Sequence, residues 1–191
     1  MKNNIIGRKS EQDTLARIYE SRQSEFVAVC GRRRVGKTFL VREYFEQEMV
    51  FQTSGLAGGN TQEQLKNFFY TLRRYDRNVI SVPHDWLDAF EMLITYLDSL
   101  NGIERKVIFL DELPWMDTAG SNFISALEHF WNGWASARRD IVLIVCGSAT
   151  SWMMDKLINN HGGLYGRLTH RLFLQPFSLG ESEAFLKTKG M

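Results

Sequence analysis

Cysteine and long apolar runs are the scarcest features of this chain. Only Cys30 and Cys146 occur among 191 residues, with no C-x-x-C spacing and no histidine ligand pattern, which disfavours both a metal cluster and a disulfide framework. No apolar run approaches the length of a membrane span, and the N-terminus lacks the apolar core of a secretory signal. We therefore expect a cytoplasmic protein without a membrane partner.

Excess charge of one sign is also missing. Lys and Arg number 23 against 22 Asp and Glu, so the net charge is +1 and gives no global argument for a nucleic-acid partner. A nucleic-acid partner is compatible with the whole protein, but the net charge of this segment does not support one. The remaining composition, 44% hydrophobic and 24% charged, is that of an ordinary soluble globular protein, and 191 residues are enough for one sizeable domain.

The most informative stretch, residues 31–38, fits the pattern G-x-x-x-x-G-K-[ST] at every fixed position. Its residues are Gly31, Arg32, Arg33, Arg34, Val35, Gly36, Lys37 and Thr38. An apolar run precedes it and a segment with helical spacing follows, as a strand, loop and helix require. In such a loop the backbone N–H groups surround phosphates, Lys37 reaches the β and γ phosphates, and Thr38 offers a hydroxyl to Mg²⁺. The pattern predicts a nucleoside triphosphate site, and a Gly-rich turn with an unrelated lysine is the alternative.

Two adjacent carboxylates follow the continuous apolar run 107–110, which is typical of a buried parallel strand. The C-terminal end of such a strand lies at the same sheet edge as the phosphate loop. We expect Asp111 to hold Mg²⁺ through its water shell and Glu112 to orient or deprotonate the attacking water. A solvated turn at the end of a strand is the alternative.

Two further features of the sequence have open interpretations. The apolar strand 141–146 ends at Gly147-Ser148, and Ser148 faces the γ phosphate if this strand lies between those of Cys30 and Asp111; a plain Gly-Ser turn is the alternative. The three arginines of the loop are expected to point to solvent. Higher phosphate affinity and the docking of a partner or nucleic acid are the alternatives for them.

The predicted strands alternate with helices, which argues for a parallel sheet between helix layers. Ser10 is expected to cap the first helix and Thr61 a later one. Residues 121–138 have helical spacing, and their Trp131 and Trp134 are expected in the core.

In this order the motifs resemble those of the AAA+ and STAND-like P-loop ATPases, and within them the archaeal and bacterial ATPase family. Beyond the phosphate loop and the Asp-Glu pair, the resemblance rests on Ile6, Gly7, Arg8, Gly147, Ser148, Leu164, Tyr165, Gly166 and Arg167. It covers nearly the whole chain. It implies a three-layer α/β/α P-loop NTPase fold with a five-stranded parallel sheet of order 5-1-4-3-2, which places the two cysteines on neighbouring strands.

The resemblance also implies ligands and partners. It implies ATP and Mg²⁺ as cofactors, with no guanine-selecting motif after the core, and it places three residues on the adenine side: Ile6, Gly7 and Arg8. Arg167 resembles the arginine that reaches the γ phosphate of a neighbouring subunit, the alternative being a surface arginine before the last strand. Residues 1–178 are expected to form the ATPase core, and 179–191 the start of a truncated helical lid before an effector region or partner protein.

The expected function is hydrolysis of ATP to ADP and phosphate, which drives or times a conformational change in an attached effector. Lys37, Glu112, Ser148 and Arg167 are the expected catalytic residues, and slow turnover is expected of the core alone. One alternative is a non-hydrolysing, nucleotide-dependent switch or interaction module. Another is a small-molecule kinase, which needs an acceptor pocket and usually an arginine-rich lid.

Overall fold

A computed structural model describes residues 5–148, 150–159, 163–164, 166–188 and 190. Its strands are β1 (Glu25–Gly31), β2 (Met49–Ser54), β3 (Lys106–Asp111), β4 (Ile141–Gly147) and β5 (His170–Leu174). Its α-helices are α1 (Lys9–Glu20), α2 (Lys37–Tyr44), α3 (Thr61–Tyr75), α4 (Trp86–Ser99), α5 (Leu113–Met116), α6 (Phe123–Gly133), α7 (Thr150–Met153) and α8 (Leu179–Thr188). A 3₁₀ turn, Ala135–Ala137, follows α6, and a π-helical turn, Met154–Ile158, follows α7.

All five strands run parallel, in the order β2-β3-β4-β1-β5. Read from the other edge this is 5-1-4-3-2, so the expected sheet order and the three-layer fold are confirmed. Val29 lies opposite Cys146 and Cys30 opposite Gly147, so the cysteines occupy neighbouring strands. Burial raises the pKa of the Cys30 thiol to about 11, which keeps the thiol protonated at neutral pH.

Helices cover both faces of the sheet because alternate strand residues point to opposite sides. On one face Phe26 and Ala28 of β1 pack with residues of α3, α4 and α6. On the other face Val27 and Val29 pack with residues of α1 and α2. Trp131 is buried in the core on the Phe26 face, as expected. Trp134 is partly buried and packs against the same core. Within the described ranges, no helix is long and apolar enough to cross a membrane.

Three expected helix boundaries were wrong. Arg8, not Ser10, is the N-cap of α1, because a contact between the Arg8 backbone and Glu181 fixes the chain two residues earlier. Asn60, not Thr61, caps α3 through a reciprocal pair of hydrogen bonds with Glu63, so the capping box lies one residue earlier. Helix α6 spans only Phe123–Gly133, because the backbone leaves the helical conformation at Trp134.

A cluster of Lys106, Arg138 and Asp140 lies at the edge of the sheet opposite the phosphate loop. The Asp140 carboxylate accepts hydrogen bonds from Arg138 Nε at 2.8 Å and from Lys106 Nζ at 2.7 Å. These hydrogen bonds hold the pKa of Asp140 well below its usual range, and the bond from Arg138 has the largest effect. Because this pKa is depressed on folding, the stabilisation is complete above the unfolded-state pKa and is lost as the pH falls through the folded value.

Replacing Asp140 with asparagine should therefore lower the free energy of unfolding at pH 7 by about 1 to 2 kcal/mol, since Lys106 stays buried without its counter-ion. The deficit should shrink below about pH 4, where the carboxylate of the unfolded chain becomes protonated. Urea unfolding at pH 7 and at pH 3 measures both values. The exposed Asp13→Asn on α1 is the control, and a deficit of equal size at both pH values would contradict this account.

Candidate functional site

The phosphate-loop motif joins the C-terminal end of β1 to α2. Gly31 has φ of +150°, and a Cβ atom there would lie 2.5 Å from the Leu174 carbonyl oxygen, so only glycine fits where the loop passes β5. Gly36, with φ of 90°, is the N-cap of α2. Helix α2 begins at Lys37, so its free N–H groups and positive dipole end lie at the loop, an arrangement that favours an anion.

Lys37 is the central cation of the site. Its side chain is buried, and its Nζ atom donates hydrogen bonds to the Gly31 and Arg32 carbonyl oxygens, each at 2.9 Å, and to Ser148 Oγ at 3.0 Å. An ammonium group has three protons, so each can be directed to one of these acceptors. The Lys37 charge is thereby held on the inner side of the loop.

Thr38 and Asp111 meet across the same edge. Thr38 Oγ1 donates to Asp111 Oδ2 at 2.9 Å, while Asp111 Oδ1 accepts from the Glu112 backbone N–H at 2.9 Å. No group of three or more His, Cys, Asp or Glu side chains suited to a metal is found among the described residues. A hydroxyl and one carboxylate nevertheless fit Mg²⁺, which keeps several waters and takes phosphate oxygens as further ligands.

Glu112 follows β3 in a left-handed conformation, with φ of 46°. A Cβ atom on Gly55 would lie 2.6 Å from the Glu112 carbonyl oxygen, so the absence of a side chain at Gly55 lets the two segments approach. Ser148 Oγ donates to Glu112 Oε1 at 3.1 Å. Ser148 therefore links Glu112 to Lys37, so the side chain at the start of α2 meets those that follow β3 and β4 in one network.

Other predicted site residues lie apart from this network. Arg167 is exposed, and within the described part of the chain no hydrogen bond or ion pair joins its side chain to Lys37, Glu112 or Ser148. The side chains of Arg32, Arg33 and Arg34 are exposed, as expected. Tyr165 of the Leu164 to Arg167 motif lies outside the described residues.

A recess of about 630 Å³ opens beside the phosphate loop. It is lined by Ile6, Arg8, Arg34, Val35, Gly36, Phe39, Pro176, Phe177 and Phe185. The recess brings two predicted N-terminal residues, Ile6 and Arg8, next to the loop. Its C-terminal wall was not expected, because nothing in the local sequence around Phe177 indicates this contact.

Arg8 connects the two walls of the recess. Its guanidinium donates to the Val35 carbonyl at 3.0 Å, pairs with Glu11 at 3.3 Å, and lies 4.7 Å from the centre of the Phe177 ring. Its backbone N–H donates to Glu181 Oε1 at 2.8 Å. This hydrogen bond, which has the largest effect, and a second one from the Ser178 backbone N–H hold the pKa of Glu181 below its usual value. The S-x-x-E pattern at Ser178 signals a helix cap, but not the contact with Arg8.

The sheet order and the phosphate loop after β1 define this protein as a P-loop ATPase core. Residues 6–189 match the family described as an ATPase domain predominantly from Archaea, and the chain belongs to that family.

Among solved structures, similarity extends to a Walker-type ATPase of Pyrococcus abyssi, with a TM-score of 0.68 and 19% identity, covering 97% of this chain and 58% of that one. Cdc6p of Pyrobaculum aerophilum gives a TM-score of 0.61 and 15% identity, covering 98% of this chain and 50% of that one. The structure of Drosophila ORC bound to DNA gives a TM-score of 0.67 and 16% identity, covering 95% of this chain and 46% of that one. At such identities the likeness shows the fold alone.

Two sequence relatives come from Methanocaldococcus jannaschii. An uncharacterised protein is 26% identical over 181 residues, which is 95% of this chain and 38% of that protein. An uncharacterised ATP-binding protein is 33% identical over 50 residues, 26% of this chain and 85% of that protein. The chain thus spans less than half the length of the longer relative.

Proposed function

We propose that the protein binds ATP at the phosphate loop and hydrolyses it to ADP and phosphate. The observation that carries this proposal is the hydrogen-bonded chain from Lys37 through Ser148 to Glu112, beside the Thr38–Asp111 pair. A cation for phosphates, oxygen donors for Mg²⁺ and a carboxylate for water lie together at one sheet edge. Hydrolysis of a triphosphate needs all three.

Lys37 is the residue proposed to hold the β and γ phosphates. Its present acceptors are neutral carbonyl and hydroxyl oxygens. Phosphate oxygens are anionic, and hydrogen bonds between two charged groups are shorter and stronger than those to neutral acceptors. The N–H groups of the loop and of the first turn of α2 add further donors. Triphosphate binding therefore replaces weaker contacts of Lys37 with stronger ones.

Thr38 and Asp111 are the residues that would hold Mg²⁺, directly or through water. When bound, the ion offsets the charge of the phosphates and stabilises the charge that develops during phosphoryl transfer. The bond between Thr38 and Asp111 keeps both oxygen donors oriented toward the loop edge.

Glu112 is the proposed general base, and Ser148 is the proposed group that positions it and contacts the γ phosphate. Ser148 engages Oε1 of Glu112, and no hydrogen bond from the described residues reaches Oε2. That oxygen can accept a proton from a water molecule as the water attacks the γ phosphorus and ADP leaves. The left-handed backbone at Glu112 fits such a role, because strained residues concentrate at functional sites.

The recess beside the loop is the proposed site of the nucleobase. It borders Arg34, Val35 and Gly36, so a nucleotide whose phosphates occupy the loop can extend into it. The rings of Phe39 and Phe177 provide apolar surface for a base. Adenine is proposed because the chain belongs to a family described as an ATPase domain.

We extend the proposal to the parts that act with this site. The exposed Arg167 is proposed to contact the γ phosphate of ATP that is bound by a second copy of the chain. Residues 1–178 form the proposed core and 179–191 the proposed start of a lid. Helix α8 contacts the core through Glu181 and Phe185 but has no buried residue. Hydrolysis is proposed to drive or time a conformational change in an attached effector, and turnover by this chain alone is expected to be slow.

Titration with ATP in Mg²⁺ or in EDTA, together with phosphate release, tests the proposed function. ATP should bind in both conditions, because Lys37 and the loop donors do not depend on the metal. Phosphate release should fall at least about a hundredfold in EDTA. Absence of ATP binding in both conditions, or phosphate release that is indifferent to EDTA, would contradict the proposal. Bound ATP that stays intact with Mg²⁺ would favour the non-hydrolysing switch instead.

A further inference from the structure

Arg34 has a backbone conformation that is unusual for its residue type. Its φ is 67°, in the left-handed region that glycine adopts readily and that a residue with a Cβ atom adopts at a cost. The phosphate-loop pattern leaves this position variable, so glycine would satisfy both the motif and the backbone. Because backbone strain of this kind concentrates at functional sites, the side chain of Arg34 is a candidate for a contact with the ligand.

The side chain of Arg34 lies where a ligand of the recess would meet it. Arg34 lines the recess, whereas Arg32 and Arg33 do not. Arg8, the other arginine of the recess, is already engaged by Val35 and Glu11. Arg34 is exposed and has no hydrogen bond, ion pair or ring contact with any residue that the structure describes. Its guanidinium is therefore available to a molecule that enters the recess.

We propose that Arg34 binds the nucleobase of the bound nucleotide and makes the site prefer a nucleotide to inorganic polyphosphate; this inference rests on the proposed function. A planar guanidinium stacks on an aromatic face and donates hydrogen bonds to ring nitrogen or carbonyl acceptors. A nucleobase offers both, and a polyphosphate chain offers neither. The rings of Phe39 and Phe177 add apolar surface against which such a base can pack.

The test compares the affinities of ATP and inorganic tripolyphosphate for wild type, Arg34→Ala, Arg34→Lys and Arg33→Ala, each with Mg²⁺. Arg34→Ala should raise the dissociation constant of ATP roughly three- to tenfold and that of tripolyphosphate less than about twofold. Arg34→Lys should restore little of the loss, because lysine keeps the charge but lacks the planar group. Arg33→Ala removes the same charge from the neighbouring exposed position and should change both constants by the same small factor.

Arg34→Gly provides a second test of the proposal. It should weaken ATP binding as Arg34→Ala does, yet raise the melting temperature above that of wild type because glycine relieves the left-handed backbone. Parallel losses for ATP and tripolyphosphate in Arg34→Ala would overturn the proposal, because they indicate a general effect of charge. Equal affinity of the wild type for ATP and tripolyphosphate would overturn it while leaving the proposed function intact. Failure of the wild type to bind either compound would overturn both.

Discussion

Replacing Glu112 with glutamine is expected to lower ATP turnover by about a hundredfold or more while ATP affinity stays within about threefold of wild type. Glutamine keeps the length of the side chain and an oxygen that can accept the Ser148 hydroxyl bond, so the network around the site persists. It lacks a carboxylate and cannot take a proton from water. Phosphate release and an ATP titration on the same preparation measure the two quantities separately.

Glu91→Gln on the exposed side of α4 is the matched control for this substitution. It makes the same chemical change away from the sheet edge and should leave both turnover and affinity unchanged. If Glu112→Gln and Glu91→Gln released phosphate equally fast, Glu112 would be excluded as the group that activates water. If Glu112→Gln instead lost ATP affinity, its carboxylate would have a role in binding.

Replacing Lys37 with alanine is expected to raise the dissociation constant of ATP by about a hundredfold. Lys37 is the buried cation at the inner side of the loop, and its ammonium is the group proposed to exchange its bonds to the Gly31 and Arg32 carbonyl oxygens for bonds to phosphate oxygens. Alanine also leaves the Gly31 and Arg32 carbonyl oxygens without the Lys37 donor. Calorimetric titration gives the dissociation constant.

Arg33→Ala is the control in the same loop, because it also removes one positive charge but from an exposed side chain. It should change the dissociation constant of ATP by less than about threefold, since charges exposed to water are strongly screened. At an ATP concentration near the dissociation constant of Arg33→Ala, ATP should raise the melting temperature of Arg33→Ala clearly and that of Lys37→Ala very little. Equal affinities for the two variants would show that the phosphate loop acts through general charge rather than through Lys37.

The parts of the site that were predicted from the sequence depend on local patterns. The phosphate loop can be read from contiguous residues, and Asp111 and Glu112 from the apolar run before them, because the C-terminal ends of parallel strands share a sheet edge. The position of Ser148 depended on the strand order, which came from the resemblance and not from the residues. Once β4 lies between β1 and β3, its end adjoins both Lys37 and Glu112.

What the sequence did not predict depends on contacts between distant segments. The bond from Arg8 to Glu181 joins residues 173 positions apart, and no local pattern records such a pair. The same contact moved the start of α1 away from Ser10, so a tertiary interaction outweighed the preference of serine for the cap. The left-handed backbones of Arg34 and Glu112 were also missed, because neither residue is a glycine or an asparagine.

Cleavage of loop-bound ATP by the groups at this sheet edge is the core of the proposed function. Its most direct test is a single-turnover measurement, with the protein in excess over ATP and saturating Mg²⁺, in which ADP is followed over time. Bound ATP is expected to be converted slowly and completely to ADP in wild type and to remain intact over the same period in Glu112→Gln. ATP that remains intact in wild type, or ADP that forms at the same rate in both proteins, would contradict it.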